Sequence, residues 1–104
     1  MSTIKKVKEE LLNSDKPVIK SLHHNKGFKV LVLGLNKGVS LKAHTAKWPS
    51  RLTVIEGSVN YIHSENITRL DKDNEHDIPV LELHEVIANE KSICLLTQSN
   101  PDYS

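Results

Sequence analysis

The stretch Phe28-Lys29-Val30-Leu31-Val32-Leu33-Gly34-Leu35 limits what this chain can become more than any other segment. A strand with one face in water alternates apolar and polar residues, and this run is too apolar for that. A continuous apolar run of this length, closed by the turn signal Asn36-Lys37-Gly38, reads as a strand covered on both faces. Coverage on both faces is the situation of a strand in a sandwich or barrel.

The neighbouring segments supply the other strands. Val18 to Leu22, Val39 to His44, Arg51 to Ile55 and Val59 to His63 are each short and strand-like, and Glu56-Gly57-Ser58 joins the last two as a hairpin. Ile67 to Leu70, Ile78 to Ile87 and Ser92 to Thr97 complete the set, with Asp71 to Asp77 expected as an exposed loop. Only the start of the chain has helical periodicity: Ile4, Val7, Leu11 and Leu12 form one stripe, with Ser2 or Thr3 as cap and Pro17 beyond the end. That stripe is expected to pack on the outside of the barrel or on a partner chain. The expected organisation is a helical segment over 1–15 and a single antiparallel jelly-roll β-barrel domain over 16–104.

Composition excludes several functions. At 104 residues the chain holds one core, and with 38% hydrophobic and 26% charged residues it is neither membrane-embedded nor disordered in character. No apolar run reaches the ~20 residues of a membrane span, and Met1 to Lys6 does not resemble a secretion signal, so a cytoplasmic location is expected. A net charge of +1 and 4% aromatics give neither the electrostatic footprint nor the stacking platform of a nucleic-acid binder. The single cysteine, Cys94, lies in the apolar run Ile93-Cys94-Leu95-Leu96, where a thiol packs as a small inert hydrophobe.

Two spacings carry a family resemblance. Gly38 is followed by five residues and His44, and Gly57 closes the same segment; later, Pro79 stands five positions before His84. In these positions the chain resembles the cupin superfamily over roughly residues 27 to 98, with Asp73 and Leu81 where the family's second motif would have glycines. The resemblance implies an all-β double-stranded β-helix and, for a chain of this size, a homodimer. It also implies a divalent metal (Fe, Mn, Ni or Zn) held by two His and a Glu of the first motif and one His of the second. Here His44 and His84 are kept, while Ala46 and Ser50 replace the pair between them and Ala88 stands where Asn would be, with Asn89 one place later. Two imidazoles rarely hold a divalent ion tightly.

The candidate site residues are therefore His44 and His84, expected on facing strands with their rings in one cavity, together with Ser50 and Trp48 as ligand contacts. Glu82 and Ser50 are possible third metal donors. His44 and His84 could instead be hydrogen-bonded residues of a polar pocket, could bind an anionic or sugar-like ligand without a metal, or could act as an acid and base near neutral pH. His63 and His76 are expected to be exposed, Arg51 to be a surface charge, and His23-His24 to point to opposite faces. The leading expectation is a small molecule bound in the barrel pocket without a tightly held metal. The alternatives are a metal-dependent oxygenase or isomerase using His44 and His84, a metal-free His acid–base catalyst, and a structural or partner-binding module.

Overall fold

A computed structural model describes residues 2–44 and 47–102, with backbone alone at Ala43 and His44. The elements in chain order are α1 (Thr3–Leu11), β1 (Val18–His24), β2 (Phe28–Leu35), β3 (Ser40–His44), β4 (Ser50–Glu56), β5 (Ser58–His63), β6 (Asn66–Asp71), β7 (Glu75–Ile78), β8 (His84–Ala88) and β9 (Ser92–Ser99). They form two sheets, one five-stranded in the order β1-β2-β9-β4-β7 and one four-stranded in the order β3-β8-β5-β6. Every strand pairing is antiparallel. This is the jelly-roll arrangement expected from the sequence.

The apolar run of β2 is covered twice. On its inner side Leu33 and Leu35 join Leu52, Val54, Val59, Tyr61, Leu70, Val86 and Cys94 in the core between the sheets. On its outer side Val32 packs with Val7 and Leu11 of α1, Val18 of β1 and Ile93 of β9. Of the expected helix stripe, Val7 and Leu11 thus bury on the outside of the five-stranded sheet with Ile4 partly covered, while Leu12, just past the last helical residue, is 73% exposed. Gly34 allows that approach: a Cβ there would stand 2.6 Å from Val7 Cγ1 and 2.8 Å from Leu11 Cδ1. Ser2 caps the helix, its side chain accepting from the Lys5 amide, and the Asn36 side-chain amide donates to the Leu11 and Ser14 carbonyls at the far end.

The turns explain the motif spacing. Gly38 and Gly57 have φ of 81° and 88°, and a side chain at Gly57 would also strike the Lys91 carbonyl oxygen and Ser92 Oγ. Asp73 and Leu81, which stand where the resemblance puts glycines, have φ of 72° and 65°. The left-handed backbone survives the substitution, so the turn geometry belongs to the fold rather than to the glycine. At the end of the barrel opposite His84, Ser92 Oγ accepts from the Ser58 amide at 3.0 Å, and the Asn89 side chain donates to Ser58 Oγ and Asn60 Oδ1.

Three expectations about the middle of the chain change. The hairpin expected around Gly57 does not form: β4 pairs with β7 and β9, and β5 with β6 and β8, so the turn carries the chain from one sheet to the other. The loop expected over Asp71 to Asp77 is shorter, because Glu75–Ile78 pairs with β4 as the edge strand β7. The segment Ile78 to Ile87 is not one strand: residues 79–83 turn, and β8 begins at His84. The reason is Leu81, whose left-handed φ breaks an extended run.

Candidate ligand site at the polar end of the barrel

Register fixes what each wall presents. Across the five-stranded sheet, Lys29 pairs with Gln98, and Gln98 with Ser50, so β2, β9 and β4 contribute one polar row. The next row inward is Leu31, Leu96, Leu52 and His76, and beyond it come Leu33, Cys94 and Val54. The inner face therefore passes from a polar row at one end into an apolar middle. Cys94 belongs to the apolar middle; it is fully buried, and burial pushes its thiol up to about 12.

On the four-stranded sheet the residues around His84 close this polar end. His84 is 4% exposed. Its Nδ1 lies 3.0 Å from the Glu82 carbonyl oxygen, which can only accept, so Nδ1 donates there. The ring stacks on Tyr61, with centroids 5.2 Å apart and planes inclined by 19°. The Tyr61 hydroxyl donates to Glu82 Oε2 at 2.5 Å, and burial beside that carboxylate raises its pKa. The other oxygen, Oε1, is 3.5 Å from His63 Nε2, while His63 Nδ1 donates to the Leu83 carbonyl at 2.9 Å. Glu82 thus orients Tyr61, His63 and His84 at once, through its carboxylate and its own backbone.

The expected site residues divide accordingly. His44 and His84 are cross-strand partners on the adjacent strands β3 and β8, not on facing strands, because β3 and β8 belong to the same sheet. The His44 side chain and Ala46 lie outside the described residues. Ser50 is buried, and its hydroxyl donates to the Trp48 carbonyl at 3.0 Å and accepts from Gln98 Nε2 at 3.1 Å. Trp48 is half-buried in the connection before β4, and the Lys29 ammonium stands 5.6 Å from its ring centroid. Arg51 is on the outer face, in ion pairs with Asp77 at 2.8 Å and Glu75 at 3.7 Å. His23 stacks on Phe28 at the edge of the sheet.

Three site residues were not expected. Sequence alone places Tyr61 within the strand Val59 to His63 and gives it no site role. His63 is half-exposed, but it belongs to the cluster through Glu82 and Leu83. His76 is in β7 rather than in a solvated loop, opposite Leu52 and 4.3 Å from the Tyr61 ring. The alternation Val59-x-Tyr61-x-His63 puts these three on one face and could have signalled the first two. His76 needed the β4–β7 register, a non-local fact.

Among the described residues no three His, Cys, Asp or Glu side chains gather as ion ligands. Ser50, at the position of the missing glutamate, holds Trp48 and Gln98, and the Glu82 carboxylate is engaged by Tyr61. A separate open cleft of about 680 Å³ lies over Arg51, Thr53, Glu75, Asp77 and Thr97 on the outer face of the five-stranded sheet. It meets inner-face positions only at Ser50 and Ile78, so its size says little about the cluster around His84. Among the described residues no helix is long and apolar enough to cross a membrane.

No family model matches the chain, and no curated protein matches it. Solved structures do. A conserved protein of unknown function from Streptococcus pyogenes is similar at 19% identity and a TM-score of 0.77, covering 86% of this chain and 78% of that one. An RmlC-like cupin from Desulfovibrio desulfuricans is similar at 18% identity and 0.75, covering 81% and 82%. KdgF from Halomonas sp. is similar at 16% identity and 0.73, covering 86% of each. At these identities the likeness is one of fold.

Proposed function

Since the chain has the cupin fold, we propose that it binds a small molecule at the polar end of its barrel without a tightly held metal. The observation that carries this reading is the Glu82 arrangement. One carboxylate and its backbone carbonyl fix the rings of Tyr61 and His84 in a nearly dry setting, above a core that is otherwise apolar. Convergent polar groups over an apolar floor are the usual composition of a ligand pocket. The His84 ring, held in place by the Glu82 carbonyl, is a hydrogen-bonding group at this end, and Trp48 has a flat apolar surface at the rim.

The metal-dependent alternative rests on His44 and His84 alone, which is too few protein ligands for iron, manganese, nickel or zinc to stay bound through purification. Elemental analysis of protein purified without added metal decides between the readings. The proposal expects far less than one equivalent per chain. One equivalent that disappears in the His44→Ala, His84→Ala double variant would reverse it. The same oriented His84 also suits metal-free proton transfer to a bound ligand, which would show as turnover insensitive to a chelator and lost in His84→Ala.

A second copy of the chain is the proposed partner. Ile19 is 47% exposed and Leu22 44% exposed on β1, the edge strand of the five-stranded sheet. An open edge with apolar side chains favours pairing with another sheet.

A further inference from the structure

Lys29 is a cation on the inner side of the barrel. Its alternation with Leu31, Leu33 and Leu35 places it on the face of β2 that lines the core, and its cross-strand partner is Gln98. It is half-buried, with its ammonium 5.6 Å from the Trp48 ring centroid. Among the described residues no carboxylate pairs with it, although Lys8, Lys20, Arg51 and Arg69 each have an acidic partner. Glu82, the acidic residue of the polar end, is occupied on one oxygen by Tyr61 and faces His63 with the other. A positive charge drawn out of water without a counter-charge is unfavourable, and a bound anion removes the penalty. Beside Lys29 stand two neutral hydrogen-bonding groups already linked to each other, the Gln98 amide and the Ser50 hydroxyl.

We propose that the barrel's ligand carries an oxyanion, a carboxylate or a phosphate, that Lys29 holds over Trp48 and beside Gln98, with the rest of the molecule extending toward His84. This rests on the barrel-binding reading and adds the charge of the ligand to it. The charge selects: an anion satisfies Lys29, while a cationic molecule would meet an uncompensated like charge at the rim.

The test is an NMR titration with three probes, succinate, inorganic phosphate and neutral succinamide, against the wild-type chain, Lys29→Gln and Lys29→Arg. One or both anions should shift the Lys29, Gln98 and Trp48 signals at millimolar concentration, and which one does so identifies the oxyanion. Lys29→Gln should weaken that binding by about tenfold, as expected for loss of one charge-assisted contact, while Lys29→Arg retains it. Equal binding of succinate and phosphate to wild type and Lys29→Gln would overturn the proposal. If succinamide shifts the Tyr61 and His84 signals as strongly as succinate does, the inference about charge fails and barrel binding stands. If no probe, charged or neutral, reaches any inner-face signal, both fail.

Discussion

Leu81 holds φ at 65° with 69% of its surface exposed, so it bears the cost of a left-handed backbone with little packing in return. Such a conformation costs an L-residue roughly 1 kcal/mol or more relative to glycine. Leu81→Gly should therefore stabilise the chain by about 0.5–1 kcal/mol, part of the relief being offset by the freer unfolded chain. Urea denaturation measures it; a midpoint that falls would show that Leu81 packs in a way its exposure does not suggest. Gly57 is the converse case. A methyl there meets the Lys91 carbonyl and Ser92 Oγ at a φ of 88°, so Gly57→Ala should cost about 3 kcal/mol in the same assay. Tyr61 gives a pH dependence. Its pKa is raised in the folded chain by burial and by the Glu82 carboxylate, so the folded state holds its proton after the unfolded state has released it. Stability from this group is full below pH ~10, the ordinary tyrosine value, and falls as pH rises beyond it. Cys94, raised to about 12 by burial, acts in the same direction from its own ordinary value upward. Denaturation at successive alkaline pH values should show a shallower loss for Tyr61→Phe than for wild type; identical slopes would remove Tyr61 from the account.

At the scale of elements, the fold was legible wherever the signal was local. The covered strand β2, the turn at Gly57 and the helical contacts of Val7 and Leu11 follow from periodicity and turn residues, whereas the assignment of β4 and β5 to different sheets is not local information. The site was legible only in part. Motif spacing pointed to His84, but adjacency of β3 and β8 is a matter of strand order, which no local pattern contains. Lys29 was hidden for a related reason: β2 is apolar on both faces, so alternation does not show which residues point inward. His76 was hidden by the acidic residues around it, which mark the outer face of an edge strand as readily as a loop. The helix offers a check on the double coverage of β2. Leu11 is 1% exposed between α1 and the sheet, and Leu11→Ala should cost about 3 kcal/mol. A loss below about 1 kcal/mol, the level of ordinary surface changes, would mean that the helix is dispensable to the sheet it covers.

The whole molecule is a two-layer barrel with a helix on one outer face, an end tied by Ser58, Asn89 and Ser92, and the polar end organised by Glu82. Its open edge at β1 bears on assembly. Light scattering after gel filtration should give twice the mass of the chain, and Leu22→Lys should shift it toward the monomer; a monomeric wild type would leave the exposed Ile19 and Leu22 without a partner. Two places compete as ligand sites, the polar end of the barrel proposed above and the open cleft on the outer face beside Arg51 and Asp77. A crystallographic soak with a library of small polar fragments compares them directly. The account predicts fragments inside the barrel, within hydrogen-bond reach of His84 or Lys29. Fragments confined to the outer cleft, with only side chains or water against His84, would contradict it.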